Sequence, residues 1–378
     1  MKKNHLIWLT TIVILVGTLL LIARECDRSS KDSKMVKMGV ILPLSGKTAI
    51  IGEPKKRAFE IALDQFNSPQ KRLEIKFEDS QGSATIGINA FNKLLLDKSI
   101  DCYYIDLTPI VNACIPTINS NKVITFAGSA EPEVTNLSNY LFRLFAGGDQ
   151  EIRMMVEYLH RQSVQKVFVL HTNELYGINA FKYLKKMFTD VGGSIVGNDE
   201  YPMNNGDFKA QLTKAKSSNA EKIILLGYGN EYPALLKQAM EYDINPDKFV
   251  CNLGGSNKSV MELPAKLIEN MTFVGPKFSY LLGIGTIEPE MQEFLYLYQK
   301  KYNESPDFRA AYAYDMVTIF LSVYGDGSKT DNQIMSELSK IKGYKGASGL
   351  ISFKENGDTE TDLVVAKYKN GTIELLGL

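Results

Sequence analysis

Residues 37–67, KMGVILPLSGKTAIIGEPKKRAFEIALDQFN, decide the fold class of this chain. An apolar run over residues 38–42 predicts a short buried strand, and a loop with proline and glycine follows it. Four apolar residues then recur at helical spacing: Ala58, Ile61, Ala62 and Phe66. A strand, a loop and an amphipathic helix open a βαβ unit, and such domains bind small molecules at the carboxyl ends of their strands.

The same alternation continues along the chain and predicts an α/β protein with parallel sheets. Further strands are predicted at residues 73–78, 102–107, 123–127, 167–171, 195–200, 223–228 and 249–253. Two long helices are predicted at residues 291–302 and 308–324, and Asn370-Gly371 predicts a hairpin near the end. The sequence AGGDQ at residues 146–150 interrupts the pattern, so we expect the chain to enter a second lobe there.

Composition excludes two broad classes of protein. Lysine plus arginine equal aspartate plus glutamate at 43 each, and no basic stripe of the kind that binds nucleic acid is present. An apolar content of 44% is that of a globular chain and not of a disordered one. A length of 378 residues suggests two lobes once the N-terminus is set aside.

The N-terminus carries an apolar segment at residues 6–23, behind a tail at residues 1–5 that contains two lysines. A charge-free run of this length favours a transmembrane anchor, followed by a polar tether at residues 24–36. A cleaved signal peptide and a lipidated Cys26 remain alternatives, although Glu25 occupies the place where lipidation takes a small residue.

No pattern of residues predicts an enzyme. The chain has no GxSxG, HExxH or GxGxxG sequence, and Ser45-Gly46-Lys47-Thr48 lacks the first glycine of a phosphate-binding loop. Cys102, Cys114 and Cys251 have no metal-binding spacing; buried free thiols are favoured over a disulfide between the first two. We therefore expect no cofactor, no metal and no catalytic residue.

Five segments in the same order resemble the type I periplasmic binding proteins, in the branched-chain amino-acid-binding branch. They are VILPLSG…G at residues 40–52, FAGSAEPEVT at 126–135, ELYGINAFKYLK at 174–185, DFKAQLTKAK at 207–216 and FLYLYQKKYNESPDFRAAYAYDMV at 294–317. The resemblance implies two Rossmann-like lobes joined by three crossovers, closing around a ligand. It implies a first lobe of residues 37–147 and 279–340, and a second of residues 148–278 and 341–378.

Two groups of residues are predicted to bind the ligand. Thr108-Pro109 follows one predicted strand as an N-cap and a first helical residue, and Gly128, Ser129 and Ala130 follow the next strand. Helix N-termini suit an anion, and the resemblance implies that they hold the ligand's carboxylate. It also implies that two tyrosines of the second lobe, Tyr176 and Tyr228, cover the ligand.

The sequence departs from the family where the family binds an ammonium group. Leu253 occupies the position of the family's glutamate, and Ile51 that of an aromatic residue. A buried ammonium without a carboxylate is unfavourable by several kcal/mol. Either Glu131, Glu231 or Asp106 replaces the acid, or the ligand is a carboxylate, amide or aromatic acid and not an α-amino acid.

Two functions follow from the resemblance. The first is an extracytoplasmic solute-binding protein that delivers a small ligand to an ABC-type permease and is tethered to the membrane. The second is a ligand-sensing ectodomain that signals to a partner. Only residues 1–5 precede the apolar segment, which leaves no room there for an output domain and favours transport.

Overall fold

The computed structural model describes residues 35–67, 73–203, 205–277 and 287–377, which form an alternation of strands and helices. The strands are β1 (Val36–Leu42), β2 (Leu73–Asp79), β3 (Cys102–Asp106), β4 (Thr125–Gly128), β5 (Leu141–Arg143), β6 (Lys166–Thr172), β7 (Ser194–Tyr201), β8 (Lys222–Leu226), β9 (Phe249–Cys251), β10 (Thr272–Pro276), β11 (Tyr344–Gly346), β12 (Gly349–Phe353), β13 (Thr359–Thr361), β14 (Leu363–Lys369) and β15 (Thr372–Leu376). The helices are α1 (Ala49–Phe66), α2 (Ala84–Leu94), α3 (Thr108–Asn121), α4 (Gly148–Arg161), α5 (Leu175–Asp190), α6 (Lys209–Ser217), α7 (Tyr232–Glu241), α8 (Lys258–Met261), α9 (Pro289–Tyr302), α10 (Phe308–Tyr324) and α11 (Asp331–Ser339).

The first lobe is built on a five-stranded sheet in the order β2-β1-β3-β4-β5. All of its neighbouring strands run parallel, so their carboxyl ends lie on the same side of the sheet. Helix α10 packs against α1, and α9 also contacts α1. Nearly every residue of α10 is buried, which places the helix in the interior of this lobe.

The second lobe is built on a seven-stranded sheet in the order β15-β14-β10-β9-β8-β6-β7. The strands from β10 to β7 are parallel, while β14 and β15 are antiparallel additions at one edge. Asn370 and Gly371 join β14 to β15 with φ angles of 52° and 74°. Two successive positive φ angles are those of a type I′ turn, and the predicted hairpin is confirmed.

The chain passes between the lobes three times, as the resemblance implies. It enters the second lobe after β5 and goes back to the first lobe after β10. After α11 it enters the second lobe again, through a small antiparallel sheet of β11, β12 and β13. Asp315 of α10 holds this third passage, because its carboxylate accepts hydrogen bonds from the Ala347 and Ser348 amides at 2.6 and 2.7 Å. Burial raises the pKa of Asp315 to about 6.

All eight predicted strands are present, with ends that differ by one or two residues. Five strands that the sequence analysis did not predict are also present: β5, β10, β11, β12 and β13. Three of them have only three residues, too few for a hydrophobic period to be recognised. The helices predicted at residues 291–302 and 308–324 are confirmed, the first beginning two residues earlier.

The predicted N-terminal segments at residues 1–5 and 6–23 lie outside the described residues, as do Cys26 and most of the tether. The predicted lobe boundary at residues 278–279 lies outside them too. Within residues 35–377, as far as they are described, no helix is long and apolar enough to cross a bilayer. Cys102, Cys114 and Cys251 are buried free thiols.

Arg143, at the end of β5, ties the first passage between lobes to the third. Its side chain is 1% exposed and pairs with the buried carboxylate of Asp358 at 2.5 Å. It also donates hydrogen bonds to the carbonyl oxygens of Phe145 and Ser129, at 2.6 and 3.2 Å. One guanidinium group therefore joins both passages to the loop that follows β4.

Replacing Arg143 by methionine is expected to lower the free energy of unfolding by about 3–5 kcal/mol, because it leaves the Asp358 carboxylate buried with a single half-exposed partner, Lys354. Urea unfolding followed by circular dichroism measures this loss. The matched control is Arg153→Met, which removes an exposed ion pair with Asp149 and should change the free energy by less than about 1 kcal/mol. Equal effects of the two substitutions would contradict the role given to Arg143.

Candidate functional site

A cavity of about 60 Å³ lies between the two lobes. By the same measure one water needs roughly 10–15 Å³, so the cavity has room for a small molecule. The first lobe contributes Ile51, Lys55, Asp106, Leu107, Thr108, Gly128, Ala130, Phe308 and Arg309, the second lobe Tyr176, Gly227, Tyr228, Leu253 and Gly254, and the first passage between them Phe145. Most of these residues follow the carboxyl ends of strands in the two sheets, where ligands of α/β domains bind.

Helix α3 points its N-terminus at this cavity. Leu107 precedes the helix with a φ of 72°, a conformation that is unfavourable for a side chain of its size, and its carbonyl accepts from the Ile110 and Val111 amides. Thr108 is the first helical residue and not the N-cap that the sequence predicts, because the non-helical residue before the helix is Leu107. The Thr108 hydroxyl hydrogen-bonds the Ser129 hydroxyl at 2.9 Å. The first-turn amide of Thr108 has no intrahelical acceptor and suits an anion.

The loop after β4 brings backbone close to the same point. A Cβ atom on Gly128 would lie 2.2 Å from the Tyr104 hydroxyl and 2.3 Å from Asp106, so only glycine fits there. Gly128 and Ala130 line the cavity. Ser129 lies behind its wall, 1% exposed, with its hydroxyl bonded to Thr108 and to the Glu131 amide.

The floor of the cavity carries an ion pair that the sequence analysis missed. Lys55 of α1 is 2% exposed and its ammonium group donates to the Asp106 carboxylate, which is fully buried. The ammonium also lies 5.4 Å from the Phe145 ring centre and 5.9 Å from that of Tyr104. Burial lowers the pKa of Lys55, and Asp106 opposes this effect.

Asp106 retains one oxygen, Oδ2, that is buried without a hydrogen-bond partner among the described residues. Lys55 lies on the apolar stripe of its helix, four residues after Ile51 and three before Ala58, all of them buried. A lysine at a core position is the signal by which the sequence alone would have identified it.

The two predicted tyrosines lie side by side in the second lobe. The ring centres of Tyr176 and Tyr228 are 5.4 Å apart, and both residues line the cavity. The Tyr176 hydroxyl donates to Glu151 at 2.9 Å and accepts from the Asn252 amide at 2.5 Å, which fixes the ring. The Tyr228 carbonyl accepts from Arg309 at 3.1 Å.

The three acids predicted as ammonium partners occupy different places. Asp106 lines the cavity and is paired with Lys55. Glu231 is buried behind it and accepts from the Tyr201 hydroxyl and the Tyr228 amide, both at 3.1 Å. Glu131 instead joins the lobes, accepting from Asn179 and Tyr183 of α5 at 2.5 and 2.7 Å.

The two departures from the family pattern both face the cavity. Ile51 and Leu253 line it with aliphatic side chains. The Leu253 amide donates to Glu151, a fully buried residue of α4 that also accepts from Tyr176. Glu151 was not predicted, and among the described residues it is linked to the cavity wall by these two hydrogen bonds.

A family model described as "Periplasmic binding protein" matches residues 35–372. This chain belongs to the periplasmic binding protein family, and its two lobes have the type I fold of that family. A curated relative, "Leu/Ile/Val-binding protein homolog 3" of Brucella melitensis, is 25% identical over 349 residues, which cover 89% of this chain and 92% of the relative. The family consists of ligand binders that are not enzymes.

Two solved structures of binding proteins share the fold. The substrate-binding protein LivJ of Streptococcus pneumoniae, in complex with isoleucine, has a TM-score of 0.78 at 22% identity, covering 91% of this chain and 99% of that one. A solute-binding protein of Rhodopseudomonas palustris, in complex with 3,4-dihydroxy benzoic acid, has a TM-score of 0.79 at 18% identity, covering 88% and 93%. The binding-protein fold thus accommodates an amino acid in one protein and an aromatic acid in another.

Glu151 should make the stability of this binding protein depend on pH. Burial raises the pKa of Glu151 to about 7, so its carboxyl keeps a proton in the folded state at pH values where the unfolded chain has lost it. A raised carboxyl pKa means that stability falls as pH rises from about 4.5 to about 7, by up to roughly 3 kcal/mol. Glu151→Gln is expected to remove this part of the decrease.

Urea unfolding of the wild-type protein and of Glu151→Gln at pH 5 and pH 8 tests the prediction. Burial also raises the pKa values of Asp315 and Glu231. Their effect on the free energy of unfolding is the same in both proteins, so it cancels when the two pH dependences are compared. Glu157→Gln, on the exposed face of the same helix, is the control and should keep the wild-type dependence. An equal decrease in wild type and Glu151→Gln would show that Glu151 is ionised throughout.

Proposed function

We propose that this protein is the solute-binding component of an ABC-type importer, and that its ligand is a small carboxylate without an ammonium group. The observation that carries this proposal is the pair of Lys55 and Asp106 at the floor of the inter-lobe cavity. The protein's own ammonium group occupies the carboxylate that is nearest to the cavity.

The cavity is suited to an anion. Its lining residues Lys55 and Arg309 are cationic, and each is paired with one carboxylate, that of Asp106 and that of Asp307. The N-terminus of α3 adds partial positive charge, and Thr108 and Ala130 bring backbone to the cavity. A ligand carboxylate accepting from these donors would form charge-assisted hydrogen bonds in a site that excludes most water.

An α-ammonium group on the ligand is disfavoured by the same residues. It would approach Asp106 beside the Lys55 ammonium, and two like charges sharing one buried carboxylate repel each other. Leu253 offers no acid on the opposite wall. A neutral donor, such as a hydroxyl group, can approach the Lys55–Asp106 pair without this penalty.

Names of relatives support transport and leave the ligand class open. The Brucella relative is named a Leu/Ile/Val-binding protein homolog, and the Rhodopseudomonas protein is the solute-binding protein of an ABC transporter that holds a hydroxylated aromatic acid. The cavity of this chain, with Lys55 in place and Leu253 opposite, is closer in chemistry to the second kind of ligand. Closure of two lobes over that ligand would present a surface to the permease.

Hydroxy acids are expected to bind more tightly than the matching amino acids. We expect 2-hydroxy-3-methylpentanoate to bind at least tenfold more tightly than isoleucine, and 3-phenyllactate than phenylalanine, because each exchanges the ammonium for a hydroxyl. Thermal shift followed by calorimetric titration measures this difference. An acid present at about 100 times its dissociation constant should stabilise the protein by roughly 2.7 kcal/mol.

The double variant Lys55→Met/Asp106→Leu should lose at least about tenfold in affinity for these hydroxy acids while staying folded, since apolar residues replace both charges together. Lys56→Met, the neighbouring lysine that pairs with Glu60, is the matched control. Tighter binding of the amino acids, or unchanged affinity in the double variant, would contradict the proposed ligand class.

We propose further that the segment at residues 6–23 is retained and tethers the protein at the outer face of the membrane. Its support is the apolar run itself, with Arg24 and Glu25 directly behind it instead of a small-residue cleavage site. The family is extracytoplasmic, and a tether would keep the binding lobes near the permease.

The full chain is expected in the membrane fraction after alkaline carbonate extraction, at the mass of the uncleaved protein. A soluble protein that begins after the apolar segment would contradict retention, and a mass shift confined to Cys26 would indicate lipidation in its place. Replacing residues 6–23 by a cleavable secretion signal provides the control, which should be released into the soluble extracytoplasmic fraction.

A further inference from the structure

One face of α5 in the second lobe is turned toward the first lobe. Tyr176, Asn179 and Tyr183 follow one another at spacings of three and four residues, which places their side chains on the same side of the helix. Tyr176 lines the ligand cavity, whereas Asn179 and Tyr183 contact Glu131, in the loop after β4 of the first lobe. A single helix face therefore serves both the ligand cavity and the opposite lobe.

Glu131 accepts one hydrogen bond from this helix with each carboxylate oxygen. The Asn179 side-chain amide donates to Oε2 at 2.5 Å, and the Tyr183 hydroxyl donates to Oε1 at 2.7 Å. All three side chains are half-buried. Hydrogen bonds to a charged acceptor are stronger than those between neutral groups, and partial burial reduces their competition with water. We call Glu131, Asn179 and Tyr183 the clasp.

The backbone on the first-lobe side of the clasp is held in place. The Glu131 amide donates to the Ser129 hydroxyl at 3.1 Å, and the Ala130 carbonyl accepts from the Gly148 amide at 2.7 Å. A Cβ atom on Gly148 would lie 3.2 Å from the Ala130 carbonyl oxygen, so glycine permits this close approach of the loop to the start of α4. The Glu131 side chain is thus presented to α5 from a fixed loop.

The clasp lies next to the ligand cavity and outside its wall. Its three residues line a small cavity of about 10 Å³, roughly the space of one water. Three residues line both this small cavity and the ligand cavity: Thr108, Ala130 and Tyr176. Among the described residues that line the ligand cavity, none belongs to the clasp. Its side chains can therefore be changed without changing the wall that the ligand contacts.

Two other contacts join the lobes across the cleft, and they differ from the clasp. Lys258 of the second lobe pairs with Glu304 of the first at 3.6 Å, and both side chains are about half exposed, so this pair contributes little. Arg309 donates to the Tyr228 carbonyl at 3.1 Å, but both of these residues line the ligand cavity. Of these three contacts, the clasp is the one that is both partly buried and separate from the cavity wall.

We propose that the clasp holds the two lobes closed and thereby sets how long the ligand stays bound. Separating the lobes breaks both hydrogen bonds of Glu131 and moves Tyr176 away from the first lobe, because one helix face carries all three side chains. The apparent affinity of a ligand falls in proportion to the population of the state that binds it, here the closed one. The clasp residues are positioning residues. This inference rests on the proposed function only in that a ligand occupies the inter-lobe cavity.

Tyr183→Phe removes one hydrogen-bond donor of the clasp and keeps the ring. The dissociation rate of 2-hydroxy-3-methylpentanoate should rise about tenfold and its association rate should change by less than about twofold, because one hydrogen bond to a charged acceptor corresponds to about this factor. Stopped-flow fluorescence and calorimetric titration of the full chain in detergent measure the rates and the affinity. Tyr296→Phe, at an exposed position of α9, is the matched control and should keep both rates.

A double-mutant cycle shows whether Tyr183 acts through Glu131. Glu131→Ala should weaken binding of the same hydroxy acid by about tenfold or more, and adding Tyr183→Phe to it should weaken binding by less than about a further twofold, since the acceptor is already absent. A further tenfold loss in the double variant would overturn the clasp, because Tyr183 would then act without Glu131. A loss that lies entirely in the association rate would overturn it as well.

Spin labels report the separation of the lobes without any ligand. They are placed on the exposed positions Leu96→Cys of the first lobe and Lys209→Cys of the second, in a Cys26→Ser background. Glu131→Ala should shift the distances of the ligand-free protein to longer values, and unchanged distances would overturn the clasp. The expected shift, together with no binding of either hydroxy acid at millimolar concentration, would support the clasp and overturn the proposed function.

Discussion

Parallel strands have their carboxyl ends on one side of the sheet, and this constraint places the residues that line the inter-lobe cavity. Beyond these carboxyl ends the chain leaves the sheet, and the helices that follow begin there with free backbone amides. The carboxyl ends of the two sheets face each other across the inter-lobe cavity. Thr108, Gly128, Tyr228 and Gly254 therefore meet there, although they are far apart in the chain.

The charges in this cavity differ from those that the binding of an amino acid requires. A protein that binds a zwitterion needs donors for the carboxylate and an acid for the ammonium. Here the acid, Asp106, already holds the ammonium of Lys55 in a site from which water is almost excluded. Removing two charges from water is unfavourable, so stability alone does not account for this buried pair.

Buried polar side chains also connect the cavity to the passages between the lobes. Arg143 hydrogen-bonds the Ser129 carbonyl and pairs with Asp358, while Glu151 holds both Tyr176 and Leu253. Tyr176 and Leu253, which line the cavity, are thus positioned by a group behind its wall. Because each group has few alternative partners, the lobes have a restricted set of arrangements in which all bonds are kept.

The sequence by itself determined the fold class, eight strands, the long helices and the hairpin at Asn370, because hydrophobic period and turn residues act locally. It also indicated Thr108, Gly128, Ala130, Tyr176 and Tyr228 as loop residues after strands, all of which the structure brings to the cavity. Only the tertiary structure decided which charges meet. Lys55 and Asp106 are 51 residues apart, and Glu131 and Tyr183 are 52 residues apart, so no local pattern contains either pair. Electrostatic partners and orphaned polar atoms depend on distances between elements, which packing sets and sequence spacing does not record.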